Sequence, residues 1–247
     1  MTRPVTRGTA AKHSPTSPSH RLRVDLAENV LELFAAGGVY DPATDSLFVA
    51  DLHLGKDNTF RRNGLAVPQG SNESTLDAIS DLVRCTHPSR LVLLGDLIHE
   101  PSSLSRQVVD CFADFCAQFC TLDIHLVRGN HDRVTAFPAS WRMTEWAAGT
   151  RLGGVALYHE PVEPPAGELA IAGHVHPSYR MQSQQESLGR LPCFWFHRNC
   201  LVLPAIGRFT GTHTIRRRGH DRVWVNADGV LLEIPSRAVP NRNAGNC

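Results

Sequence analysis

The chain has 247 residues, 42 % apolar and 20 % charged, with a formal net charge of +1. That length suffices for one large α/β domain with a full core, and the balanced charge forces neither a nucleic-acid nor a membrane partner. No apolar stretch approaches a membrane span, and the basic amino terminus lacks the apolar run of a secretory signal, so a soluble, cytoplasmic protein with no membrane partner is expected. Of the 25 basic residues only Lys12 and Lys56 are lysines; arginine suits phosphate recognition, although a GC-rich coding sequence produces the same bias. Seven cysteines, an odd number without paired spacing, fit a reducing compartment rather than a disulfide framework. Cys111 and Cys116 share an apolar stripe with Leu104, Val108, Phe112, Phe115 and Phe119 and read as helix core.

In chain order, residues 1–20 are rich in Thr, Ser, Pro, Arg and His without acidic residues, and are expected to be disordered. Residues 21–40 suggest short antiparallel strands, and 46–50 a buried strand. A loop is expected over 57–70, then a helix over 71–83 with Ser71 as its cap. Residues 91–94 read as a strand, 103–120 as an amphipathic helix, 124–127 as a strand and 141–148 as a third, shorter helix. Strands follow at 155–158 and 169–172. Beyond them 193–196, 201–203, 213–216, 222–225 and 230–234 read as short strands, with Asp228-Gly229 as a hairpin turn and 182–187 as a surface loop. The last dozen residues lose the pattern. One domain over 21–235, between disordered tails 1–20 and 236–247, is expected, with two stacked sheets and helices outside.

Five short clusters each follow one of these apolar runs: Asp51-Leu52-His53, Gly95-Asp96, Gly129-Asn130-His131-Asp132, His159-Glu160 and Gly173-His174-Val175-His176. A single histidine is most often a surface or core residue, but ligand-type residues at the carboxyl ends of successive strands converge on one edge of an α/β sheet. Asp51, His53, Asp96, Asn130, His159, His174 and His176 supply two carboxylates, four imidazoles and one amide oxygen. Imidazole-rich sets suit Mn, Fe, Co or Zn better than Mg or Ca. The set is too large for one tetrahedral zinc and is suited to two divalent ions sharing a carboxylate. Two such ions with two carboxylates leave about +2, matched to a phosphate ester. A hydroxide bridging both ions is the expected nucleophile at phosphorus. The leaving oxygen then needs a proton, and His131 is the candidate donor. Arg61, Arg62 and Arg128 are candidates for holding phosphate oxygens.

In this order the clusters resemble those of the calcineurin-like metallophosphoesterase superfamily, over about residues 48–176. The resemblance implies an α/β fold, a four-layer α/β/β/α sandwich of two mixed sheets flanked by helices, around a dinuclear centre. Carried over, Asp51, His53, Asp96 and His176 hold one metal, Asp96 bridges to a second held by Asn130, His159 and His174, and His131 is the acid. A narrower similarity joins the stretch from Ala50-Asp51-Leu52-His53-Leu54-Gly55-Lys56 through Arg61-Arg62-Asn63-Gly64-Leu65-Ala66-Val67-Pro68 to the bacterial ligase-associated metallophosphoesterases (PdeM-like). Gly95-Asp96-Leu97-Ile98-His99-Glu100, His159-Glu160-Pro161, Gly173-His174-Val175-His176-Pro177 and Leu203-Pro204-Ala205-Ile206-Gly207-Arg208-Phe209-Thr210-Gly211 extend it. This similarity implies a manganese-dependent DNA endonuclease or phosphodiesterase in DNA repair, with a DNA ligase and a helicase as partners. Two positions depart from the pattern: many superfamily members carry an acidic residue where this chain has His99, which can orient a ligand or touch substrate, and Arg208 stands where relatives often have a small residue.

A DNA phosphodiesterase needs a groove flanked by arginines, for which Arg61, Arg62, Arg128, Arg133 and Arg216-Arg217-Arg218 are candidates. A small-molecule pyrophosphatase or phosphodiesterase, such as the UDP-diacylglucosamine hydrolases with a similar Asp-Leu-His-Leu motif, needs a lipid-accepting apolar cap, whereas the apolar residues of 100–120 fit a core stripe. A non-catalytic repair scaffold is expected to have lost ligands, and here each expected one is present. The DNA enzyme is the preferred reading.

Overall fold

The computed structural model describes residues 21–62, 64, 70–133, 136–182, 187–208 and 210–235. The first sheet takes its strands in sequence order: β1 (Arg21–Leu26), β2 (Asn29–Phe34), β3 (Val39–Asp41), β4 (Ser46–Val49), β5 (Arg90–Leu93), β6 (Asp123–Val127) and β7 (Met143–Trp146). Pairing is antiparallel through β4 and parallel from β4 to β7. The parallel strands β4 and β5 are apolar on both faces because both faces are covered. Leu47, Val49, Leu91, Leu93, Ile124 and Leu126 pack under the helices α2 (Ser71–Thr86) and α3 (Arg106–Gln118). The alternate residues Phe48, Ala50, Val92, Leu94 and Val127 face the second sheet.

That second sheet is built from β8 (Thr150–Leu152), β9 (Val155–Leu157), β10 (Leu169–Ala172), β11 (Pro177–Gln182), β12 (Ser187–His197), β13 (Cys200–Val202), β14 (His213–Thr214), β15 (Arg222–Ala227) and β16 (Val230–Glu233). Its order is β14-β11-β12-β13-β10-β9-β8, with β15 on β12 and β16 on β15. Leu157, Leu169, Ile171, Phe194, Leu201, Leu203 and Trp224 meet the first sheet in one buried apolar layer. Each fully buried side chain of this size contributes about 1.5–3 kcal/mol, so this layer fixes how the two strand-end edges face each other. The opposite face holds Ala170, Ala172, Cys200 and Val202 beside Val162, and Cys193, Ile215, Val223 and Val225 beside Tyr179 and Ile234.

The two mixed sheets agree with the expected fold, and the strands bearing the ligand clusters lie within a residue of their expected limits. The helical layers are uneven: α2 and α3 flank the first sheet, and among the described residues no α-helix follows α3. Three local expectations are corrected. The start of the loop expected over 57–70 is a helix, α1 (Lys56–Arg62), held by the i,i+4 pair Asp57–Arg61 at 2.9 Å and by Asn72 reaching back to Gly55 N and Asp57. The helix expected over 141–148 is instead a 3₁₀ turn (Ala139–Trp141) leading into β7, where the open edge of β6 supplies backbone partners. Ser71 lies inside α2, whose cap is Gly70 at φ 88°, while α3 starts at Arg106 under the Ser105 hydroxyl, which accepts from Val108 N at 3.4 Å. The Asp228-Gly229 turn forms as read, with φ 49° and 84°. The expected tails 1–20 and 236–247, and most of the loop at 182–187, lie outside the described residues. No described helix is long and apolar enough to cross a membrane.

The cap assignment is testable by chemical denaturation. Ser105→Ala should lower stability by about 1 kcal/mol, whereas Ser71→Ala, which removes no cap, should cost less.

Candidate metal centre

The parallel strands run the same way, so their carboxyl ends open on one edge, and β4, β5 and β10 each lead into left-handed backbone. Asp51, His53, Asp96, His174 and His176 all adopt left-handed φ values, between 47° and 70°. Such conformations are strained for residues with a Cβ, and surrounding structure must hold them. The hold is visible: Asp51 N, His53 N and Leu54 N donate to Gly95 O, Asp96 O and Leu97 O, which zips the first cluster to the second. Asp132, fully buried, accepts from Gly129 N, Leu97 N and Ile98 N, stitching the third cluster to the second. Burial raises the Asp132 carboxyl above its ordinary range despite those donors. The sequence marked its motif but not this role.

Of three clusters of metal-binding side chains among the described residues, one is His53, His99 and His131 at the rim, and the expected ligands fill the other two. Asp51, His53 and His176 form one, and Asp96, His159 and His174 the other, each with ligand atoms within 4.8 Å of one another. Asp96 lies between them: Oδ1 is 3.4 Å from His159 Nε2, and Oδ2 is 3.8 Å from His53 Nε2. Asn130 Oδ1 is 3.0 Å from His159 Nε2. Thus the structure brings together all seven residues expected as ligands.

Several imidazoles are oriented from behind. His159 Nδ1 donates to Leu94 O at 2.9 Å and His176 Nδ1 to Thr210 O at 3.2 Å, leaving both Nε2 lone pairs aimed inward. His53 Nε2 then stands 3.1 Å from His176 Nε2, and His159 Nε2 3.1 Å from His174 Nδ1. Asp51 Oδ2 accepts from His174 N at 2.8 Å, while the buried Oδ1 has no hydrogen-bond partner. Donor atoms about 2.1 Å from a common ion and at right angles to each other lie about 3 Å apart. The observed spacings and the orphaned carboxylate oxygen therefore fit divalent cations in both groups. Burial holds the His53 imidazole far below its ordinary pKa, as a ligand requires.

His131 sits at the rim. Its amide donates to Asp96 Oδ1 at 3.0 Å, its Nδ1 hydrogen-bonds the His99 carbonyl, and its Nε2 is 3.9 Å from Asp96 Oδ2. The side chain is 36 % exposed, with Nε2 on the side of Asp96. The His99 ring stacks on it at 5.5 Å.

The arginines behave differently from the histidines. Arg128 grips Glu145 with Nε at 2.7 Å and Nη2 at 2.6 Å and also bonds the Asp132 carbonyl, so its fork is committed to holding the third cluster against β7. Arg61 is committed to Asp57 and Asn58. The side chain of Arg62 lies outside the described residues. Lys56, not singled out as a site residue, places Nζ 3.4 Å from Thr210 O, and burial lowers its pKa while Asp96 opposes the shift. Its signal was its rarity, a lysine directly after the first ligand pair in an arginine-rich chain.

The fit around Asp96 depends on bare backbone. A Cβ on Gly129 would lie 2.1 Å from Asp96 Oδ1 and 2.4 Å from Asp96 N. Gly129→Ala should therefore displace the Asp96 carboxylate, and atomic emission after Mn²⁺ loading and desalting should find substantially less metal per chain than in the parent.

Residues 46–174, just over half of the chain, match the family model of the calcineurin-like phosphoesterases. Among solved structures the chain is similar to the crystal structure of Pseudomonas putida nuclease MPE, at 30 % identity and a TM-score of 0.74, over 86 % of this chain and all of that one. It also aligns with the E. coli phosphoesterase Yfce at 15 % identity and a TM-score of 0.37, over 78 % of this chain and 99 % of that one. No curated protein matches. With its paired ligand groups in place, the chain belongs to the calcineurin-like phosphoesterases and is a metal-dependent phosphoesterase.

Proposed function

We propose that this enzyme hydrolyses phosphodiester bonds in DNA, as a manganese-dependent nuclease of ligase-associated DNA repair in the cytoplasm, with a DNA ligase and a helicase as partners. The observation that carries the chemistry is the placement of Asp96 between two ligand groups, with His131 Nε2 beside it at the open rim. The nucleic-acid substrate is supported by the similarity to the Pseudomonas putida nuclease over that protein's full length. The repair setting rests on the sequence resemblance to the ligase-associated family.

Asp51, His53, His176, Asp96, Asn130, His159 and His174 would hold divalent ions, which when bound would supply Lewis-acid neutralisation of the phosphate and a lowered pKa for water. The residues supply the rest. Asp96 fixes the separation of the two ligand groups through Gly129 and the His131 amide. His131, with Nδ1–H held by the His99 carbonyl, offers Nε2 as the site that carries and delivers a proton to the departing oxygen. His99 thus positions His131 through its backbone. Lys56 brings a cation to the same rim from α1.

The lipid-type pyrophosphatase reading finds no support in α3, whose Val108, Phe112, Phe115 and Cys116 are buried in the core rather than forming an apolar cap. A scaffold without catalysis sits poorly with a complete ligand set.

End-labelled single- and double-stranded DNA incubated with Mn²⁺ tests the substrate: the parent should cut and Asp96→Asn should not. DNA left intact while an aryl phosphodiester is hydrolysed would refute the DNA assignment and keep the phosphoesterase. The proton donor has its own signature. His131→Asn should reduce DNA cleavage about 10²–10⁴-fold, but should impair far less an aryl diester whose leaving group departs as an anion. Equal losses on both substrates would count against a proton-donor role.

A further inference from the structure

We infer that the β11–β12 hairpin is an arm that holds the backbone of a nucleic-acid strand beyond the metal centre, through Arg180 and Arg190. This rests on the nuclease reading above and assigns that reading a binding surface outside the metal centre.

The position follows from strand direction. β10 and β13 run parallel toward the ligand edge, and β12 runs antiparallel to β13, with Trp195 opposite Val202 and Val202 opposite Ala172. Arg190 lies five residues before Trp195, so at about 3.4 Å per residue it stands about 17 Å past the level of Ala172. His174 and His176 follow Ala172 directly. The arm therefore extends past the metal centre on the edge where that centre opens. Side-chain alternation puts Arg190 on the same side as Pro192 and Phe194, and Phe194 belongs to the layer between the sheets. The register Ser178↔Pro192 and Arg180↔Arg190 puts Arg180 on that side as well.

The energetics point to an anion. Two guanidinium groups directly opposite on paired strands repel one another. Both are exposed, and neither makes an ion pair among the described residues. A polyanion turns that local cost into binding, and the regular charge of a nucleic-acid strand suits two cations set side by side.

The test compares the Mn²⁺-loaded parent with Arg180→Gln/Arg190→Gln on an aryl phosphodiester, which is too small to reach the arm, and on a long single-stranded oligonucleotide. The variant should raise KM for the oligonucleotide about tenfold and flatten the salt dependence of log affinity by about 1.4, the contribution of two phosphate contacts on a single strand. Hydrolysis of the aryl diester reports that the fold and centre are intact. Should the double variant fail to fold, Arg180→Gln and Arg190→Gln made singly should each still raise the oligonucleotide KM and leave the aryl diester unaffected. Unchanged KM and salt slope on the oligonucleotide, or equal losses on both substrates, would overturn the arm. A parent that hydrolyses the aryl diester and no oligonucleotide would overturn the nuclease reading itself, a result visible before any variant is made.

Discussion

Donor atoms bearing lone pairs, pressed to about 3 Å from one another, repel unless a cation or a shared proton sits among them. His53 faces His176 in this way, and Asn130 and His174 both face His159. The rest of the molecule can be understood as what is needed to impose that crowding. Five ligands sit in left-handed backbone, each reversal is tied to a neighbouring strand end, and Gly129 leaves room for the Asp96 carboxylate. Strain of this kind persists only where the packing around it is strong enough to forbid relaxation. The layer of Phe48, Val92, Leu94, Leu157, Ile171, Phe194 and Leu203 supplies that packing directly behind the ligands.

Chemistry at the rim depends on smaller choices. Because His131 Nδ1–H donates to a backbone carbonyl, which of its nitrogens stays available is decided by chain geometry rather than by a second ionisable partner. Arg128 serves the same geometry from outside: its pairing with Glu145 and the Asp132 carbonyl holds the loop bearing Asn130 and His131 to the last strand of the first sheet. A positive charge near a phosphate site need not touch phosphate.

What could be read from the sequence was whatever depends on neighbours along the chain. The ligand clusters were legible because each follows a buried strand by a residue or two, and the antiparallel start and the Asp228-Gly229 turn because their signals are local. Helix α1 was not legible, since the residue that ties it down, Asn72, comes from α2. Nor was β7, which exists because β6 offers it an edge. Arg61 and Arg128 looked free for phosphate because their acidic partners carry no sequence mark of pairing. The juxtaposition of Arg180 and Arg190 required the hairpin register, which spacing alone does not determine.

One feature of the ligand set reaches beyond catalysis. Asp51, His53, Asp96 and Asn130 come from the first sheet, and His159, His174 and His176 from the second. Any ion binding within this set fastens two separately hydrogen-bonded layers, much as a rivet joins two plates. Metal loading is thereby coupled to cohesion of the sandwich. A cavity opened between the sheets, far from any ligand, would loosen the grip on metal as surely as the loss of a histidine.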